Sequence, residues 1–370
     1  MRHKSFLIRL ISFWLCLASV SASAQTKSAV EFKRQTEKVD AFVRETMASN
    51  HIPGLSLAVL REGKIILAKG YGVSNLELAT AVTEKTAFVI FSLTKTFTGV
   101  ATMMLVEEGK ISLADPIAKH LAGLPAAWQQ VTIRHLLSHT SGLPDYTNSF
   151  TKIEQVLKDY SHSEVLQLVA NNPLVFSTGE RWLYTNTNFY LLGTLIEKIS
   201  GKTYEQFLRE RIFTPLGMSD TRIDSHRELI PNRADGYSWS DSGFRNALRL
   251  SPTLTFSTAG LVSTVLDLAK WDAALYTERL VKKSTLEQMW TNARLNNGDI
   301  VPDYGLAFGL SPYKGHRRVG HSGGADGFAA AISRFVDDKV SVIVLTNANE
   351  KRPFFINGVA NEIAAYFFSK

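Results

Sequence analysis

The chain has 370 residues, 45% of them hydrophobic and 20% charged, an ordinary globular balance with enough length to bury a sizeable core. Its formal charge of +7 is spread thinly, and lysines and arginines never run beyond adjacent pairs such as Arg317-Arg318, which excludes the basic stripe of a nucleic-acid binder. Cysteine occurs once, at Cys16, so disulfides, thiolate metal sites and a cysteine nucleophile are excluded for the chain beyond it.

The first residues, "MRHKSFLIRLISFWLCLASVSASAQ", combine a basic start, an apolar stretch from Leu10 to Ala18 and small residues at Ala22 and Ala24. This pattern predicts a signal peptide over residues 1–24, cleaved after Ala24, and a periplasmic or secreted protein. Loss of Arg2, Lys4 and Arg9 takes the formal charge from +7 to +4. The apolar stretch is short for a bilayer and no later run reaches 18 apolar residues, so no permanent membrane anchor is expected.

Residues 25–370 read as one α/β body. Val30 to Met47 has helical spacing, and "GLSLAVLREGKIILAKGYG" gives two strand-like runs around Glu62-Gly63. Helical patterns follow over Ser92 to Glu108, Thr132 to His139, His162 to Ala170, Asn188 to Ser200 and Tyr204 to Phe213. "GFAAAISRFVDDKVSVIVLTN" then gives two more strands around Asp337-Asp338, and a helix is predicted from about Phe354 to Phe368. The expectation is an antiparallel sheet built from both ends, flanked by N- and C-terminal helices, with a helical lobe over roughly residues 91–235 inserted between its halves.

One residue in this scheme is costly. The run Thr96 to Val106 carries no charge, which implies burial on nearly every side, and Lys95 sits at its head, three residues after Ser92. A buried ammonium must be paired or have its pKa lowered, and a lysine so lowered takes a proton from a nearby hydroxyl. Ser-x-x-Lys also occurs at Ser149 to Lys152 and Ser311 to Lys314. The former leads into a charged helix face and the latter contains Pro312, which breaks the turn required. Gly-x-Ser-x-Gly at Gly320 to Gly324 resembles a nucleophile elbow, yet a β-hairpin rather than a helix follows and no histidine lies downstream of His321. Ser92 is therefore the expected nucleophile, with its own amide at a helix start as one oxyanion donor.

Three pieces then align in order: "SLTK" from Ser92, "YTN" at Tyr184 to Asn186, and "HSG" at His321 to Gly323. With "LLSHTSGLPDY", "STAGLVSTVLDLAKW" and "GHSGGADGF" around them, the chain resembles the β-lactamase-related family of class C β-lactamases, D-alanyl-D-alanine peptidases and related esterases. The resemblance implies a β-lactamase/transpeptidase-like fold and an acyl-enzyme on Ser92. It also implies Lys95 and Tyr184 as proton-handling groups, Asn186 as a partner of substrate or Lys95, and a substrate-lining strand of His321, Ser322, Gly323 and Gly324 whose Gly324 amide completes the oxyanion hole. Tyr184, beside an ammonium, is expected to have its phenolate form favoured. "YTN" also stands at Tyr146, among loop residues. His321 occupies the place where β-lactamases usually carry lysine. Its ordinary pKa near roughly 6.5 predicts weak carboxylate recognition that improves below about pH 6.5.

His135 and His139 are four apart, but no glutamate stands beside them as in His-Glu-x-x-His and no third ligand follows. No metal or cofactor is expected. Trp182, Tyr146 and Tyr237 are candidates to line a cleft. The function expected is an exported serine hydrolase acting on an ester, D-amino acid amide or D-peptide, with a small-molecule or short-peptide substrate and no nucleic-acid partner. Alternatives are a class C-like β-lactamase and a penicillin- or peptidoglycan-binding sensor with little turnover.

Overall fold

The computed structural model describes residues 29–349 and 355–368; the predicted signal peptide lies outside them. The described residues divide into two units, one up to Thr46 and the other from Met47 onward. Among described residues the first unit is helical from residue 29 onward, in a run that continues to residue 49. All that follows concerns the second.

Its strands, in chain order, are β1 (Gly54–Arg61), β2 (Lys64–Asn75), β3 (Thr80–Ala81), β4 (Phe88–Val89), β5 (Arg222–Ile223), β6 (Tyr237–Ser240), β7 (Gly243–Asn246), β8 (Leu261–Ser263), β9 (Arg318–Ala325), β10 (Phe328–Phe335) and β11 (Val340–Thr346). The main sheet runs β3-β2-β1-β11-β10-β9, so strands from the two ends of the sequence meet at β1 and β11, antiparallel from Leu55↔Thr346 to Arg61↔Val340. The apolar runs noted in the sequence are these strands, and β10 and β11 are buried along their whole lengths.

Successive strand residues face opposite ways, which shows how the sheet is covered. Ser333 accepts from Arg318 Nε at 3.0 Å, and Arg318 Nη2 also donates to Asn357 Oδ1 at 3.0 Å, on the C-terminal helix Phe355–Ala365. The next residue, Arg334, reaches Asp272 at 2.6 Å, on the helix Val265–Ala274. The two helices therefore cover opposite faces.

Helices fill the stretch between the sheet halves, close to the predicted positions: Thr94–Glu107, Ile133–Ser138, His162–Ala170, Asn186–Ser200 and Tyr204–Leu208. The helix Thr94–Glu107 is buried from Thr94 through Leu105, as its lack of charge implies. Against it pack Asn186–Ser200 and Pro252–Ala259. The latter pair approach so closely at Gly193 that a Cβ there would stand 2.1 Å from Ser257 Oγ. A small sheet, β4-β8-β5, brings the segment before Ser92 beside the segment after Thr258, fixed further by Ile90 N donating to Leu261 O at 2.9 Å. Among the described residues no helix is long and apolar enough to cross a membrane.

Candidate active site

Ser92 lies in a single 3₁₀ turn, Phe91–Leu93, ahead of the helix Thr94–Glu107, so the predicted helix start is a tighter turn. Phe91 is left-handed at φ 42°, a conformation that is strained for a side chain of this size and presents the next residue sharply.

Lys95 is fully buried. Its Nζ donates to Asn186 Oδ1 (2.9 Å), to the Thr258 carbonyl (3.0 Å) and towards Ser92 Oγ (3.1 Å). Burial pushes its pKa down from 10.5 to about 7, with the charge of Asp145 opposing the fall. The partners also decide where the lone pair points once a proton has left. Asp145 Oδ2 accepts from both the backbone N (2.9 Å) and Nδ2 (3.0 Å) of Asn186. That turns Oδ1 of Asn186 towards Lys95. Two partners of Nζ are then pure acceptors that hold its two remaining hydrogens, and the lone pair faces Ser92 Oγ.

The Tyr184 hydroxyl is directed to Ser92, an approach that favours the phenolate, yet its pKa is raised because burial outweighs it. The expectation of a favoured phenolate is therefore corrected: Lys95 Nζ faces the ring, 4.8 Å from its centroid, and loses its own charge near pH 7, so Tyr184 stays a phenol. Asn186 is the first residue of its helix and Thr185 its cap, which leaves the Asn186 side chain free for Lys95 and Asp145.

On the opposite wall stands β9, the edge strand of the main sheet. The backbone of Gly320 pairs with Gly309 in both directions, at 2.8 and 3.0 Å, and so points away from β10. By the two-residue period, the N–H of Gly324 points out along the same edge. Gly323 abuts the nucleophile turn so closely that a Cβ would stand 2.1 Å from Ile90 O and 2.6 Å from Ser92 N. No side chain fits there, and β9 comes to rest against the Ser92 amide.

His321 and Ser322 face opposite ways. The Ser322 hydroxyl turns to the C-terminal helix, where Asn357 Nδ2 donates to it at 3.0 Å. His321 is buried and donates from Nδ1 to the Ser322 carbonyl at 2.6 Å, leaving Nε2 to accept from Tyr304 OH at 3.3 Å. Burial first, then the neighbouring Lys95, lowers its pKa to about 3. Protonation below about pH 6.5, expected from the ordinary histidine value, is thus also corrected: a ring enclosed this way is neutral across the working range.

The remaining candidates disperse. Lys152 and Lys314 are exposed, and Lys314 pairs with Glu362. Tyr146, by contrast, does line the cleft beside Ser92, buried with its hydroxyl on the Leu254 carbonyl. His135 Nδ1 accepts from the Thr132 N–H at 3.2 Å, capping its own helix, whereas His139 turns to the Tyr184 segment. Trp182 is 41% exposed, and Tyr237 bonds Glu77 away from Ser92. Asp145, Thr258 and Tyr304 escape the sequence reading. Asp145 leaves one trace, its position as the cap of the turn Tyr146–Ser149.

Beside Ser92 and Gly324 opens a chamber of about 190 Å³ walled by Tyr146, Phe150, Val156, Leu250, Leu254 and Ala325. It adjoins, across Phe91, Leu250 and Thr255, a cavity of about 270 Å³. The arginines of that second cavity are paired, Arg233 with Asp224 and Arg249 with Asp235.

Comparison with known proteins matches residues 39–365 to the Beta-lactamase family model. Penicillin-binding protein 4* of Bacillus subtilis (strain 168) is 32% identical over 323 residues, covering 83% of this chain and 70% of the relative. The octameric penicillin-binding protein homologue from Pyrococcus abyssi superposes with a TM-score of 0.78 at 32% identity, over 90% of this chain and 77% of that one. The D-amino acid amidase from Ochrobactrum anthropi SV3, complexed with L-phenylalanine amide, gives a TM-score of 0.79 at 25% identity, over 90% and 97%. The fold is the α/β, β-lactamase/transpeptidase-like arrangement expected from the sequence, and the chain belongs to the beta-lactamase family of serine hydrolases.

Proposed function

We propose that this protein is an exported serine hydrolase that forms an acyl-enzyme on Ser92 and turns over uncharged esters or amides, D-amino acid derivatives among them, in preference to penicillins. The observation that carries this reading is Lys95: fully buried, lowered to about 7, its lone pair directed at Ser92 Oγ 3.1 Å away.

Neutral Lys95 takes the Ser92 proton as Oγ attacks the acyl carbonyl. Charge developing on the carbonyl oxygen is met by the N–H groups of Ser92 and Gly324, donors worth a few kcal/mol each in the tetrahedral state. The Tyr184 phenol, directed to Ser92, gives its proton to the departing oxygen or nitrogen and regains one from Lys95. The net transfer is from serine to leaving group. Water repeats the path in reverse, and its proton restores Ser92.

Two features support the substrate preference. His321 is neutral and enclosed, so it supplies no charge for a carboxylate, and the chamber next to Ser92 is walled mainly by apolar side chains, which suits an apolar acyl group. Export rests on residues 1–24, whose basic start, apolar stretch and small residues before Gln25 have the pattern of a signal peptide.

The test is labelling with a serine-directed fluorophosphonate. Ser92→Ala is expected to abolish labelling and ester hydrolysis, while Ser322→Ala, whose hydroxyl sits on Asn357, retains labelling. Loss of labelling in the Ser322 variant alone overturns the assignment.

A further inference from the structure

The mechanism leaves one buried base unused. His139 closes the helix Ile133–Ser138 in the left-handed conformation, φ 57° and ψ 36°, and has no exposed surface. Its carbonyl accepts the Leu183 N–H at 2.9 Å, and its Nδ1 accepts the Thr185 N–H at 3.2 Å. One residue thus grips the chain on both sides of Tyr184. Its ring lies against the Tyr184 ring, with centroids 4.3 Å apart and planes 31° apart.

The acceptor state of Nδ1 is fixed from a second direction. Asn188 Nδ2 also approaches it at 3.1 Å, and Asn188 is oriented by Ser141, whose hydroxyl donates to Asn188 Oδ1 at 2.6 Å. The ring proton therefore resides on Nε2, which is buried without a hydrogen-bond partner. Burial, with Lys95 and His321 nearby, holds the ring well below its ordinary pKa, so the Nδ1 lone pair is available at every working pH. The helix that follows does not substitute for this grip, because Thr185, its cap, is extended and makes no side-chain cap bond.

We propose that His139 is a positioning residue, clamping the backbone of residues 183–185 and the Tyr184 ring so that the tyrosine hydroxyl stays on Ser92. The inference rests on the reading of Tyr184 as proton donor to the leaving group. It has a signature that loss of folding lacks. A p-nitrophenyl ester expels a stable anion and needs little proton donation, whereas an alkyl ester of the same acyl group needs the proton.

For His139→Ala the kcat/KM, which reports acylation alone, is expected to fall about 100-fold on the alkyl ester and less than about fivefold on the p-nitrophenyl ester, with Ser92 still titrated fully by fluorophosphonate. His139→Asn places Oδ1 where Nδ1 stood and tolerates the left-handed backbone, so it is expected to stay within about fivefold of the parent on both. Should His139→Ala not fold, His139→Gln, which moves the acceptor one bond outward, carries the same selective loss. Tyr184→Phe is measured alongside and is expected to show the same selectivity, with little added by His139→Ala. If Tyr184→Phe slows both esters alike, the tyrosine reading falls and the clamp with it. If Tyr184→Phe is selective but the His139 variants slow both esters alike, slow neither, or add fully to Tyr184→Phe, the clamp alone is overturned.

Discussion

Each wall of the cleft buries a base, and the two end in different charge states. On the helical wall, Lys95 is enclosed but meets acceptors in Asn186 and the Thr258 carbonyl, with Asp145 behind, and its pKa settles at about 7, where one proton more or less is nearly free. On the sheet wall, His321 is enclosed beside a tyrosine hydroxyl and a carbonyl, with Lys95 repelling its charge, and it is driven to about 3. Burial is common to both. It lowers both by a similar amount, and what separates them is where each begins, an ordinary 10.5 for the lysine against 6.5 for the histidine. Acid–base capacity is therefore concentrated on the helical wall, and the sheet wall contributes backbone amides whose donors do not titrate.

Replacing the lysine breaks the comparison most severely. Lys95→Met is expected to reduce acylation by ~10³-fold or more, since both the base and the charge it returns are gone. The same variant should be more stable. A folded pKa near 7 against 10.5 unfolded means that below pH 7 the folded protein carries an ammonium it disfavours by roughly 5 kcal/mol. That penalty is full below pH 7, declines as pH rises from 7 to 10.5, and vanishes above. Orphaned acceptors at Asn186 and Thr258 offset part of the gain at every pH, so the informative quantity is the pH trend of the difference in urea unfolding free energy. A difference that does not shrink between pH 6 and pH 9 contradicts a depressed Lys95.

A gentler change sharpens the contrast. Asp145→Asn removes the charge that raises Lys95 and frees the Asn186 amide to turn over. The acid limb of kcat/KM should move to lower pH, below about 7, while the plateau falls by about tenfold. A limb that stays put would show that the carboxylate acts through geometry alone.

The smallest effect belongs to the sheet wall. His321→Gln should leave the midpoint of the acid limb unmoved and change the plateau on a neutral ester by less than about fivefold, because the ring is neutral over that range. By the same reasoning, penicillin turnover by the parent enzyme should gain nothing between pH 7 and pH 5. A histidine-dependent rise there, lost in the variant, would restore a charged role for His321.

What could be read in advance follows a physical divide. Lys95 announced itself because an isolated charge in an apolar helix has few structural explanations, and β1 and β11 because short apolar, β-rich runs need partners. Thr258 contributes a carbonyl, which every residue type owns, so no letter in the sequence marks it. Asp145 meets Asn186 across 41 positions, and its second oxygen is visible only once the chain has folded back. For Tyr184 and His321 the residue types were read, but the direction of the first pKa and the size of the second depend on enclosure by distant segments such as Tyr304, which local pattern does not encode.

The arrangement of β9 has a bearing on self-association. An edge strand with unpaired amides invites a second chain to pair with it, and soluble proteins usually defend such an edge with charge, bulges or proline. Here the defence is internal. Gly309 occupies the backbone of Gly320, and the Ser92 turn stands hard against Gly323, so the contact that sets the oxyanion donors side by side also plugs a length of edge that would otherwise template aggregation.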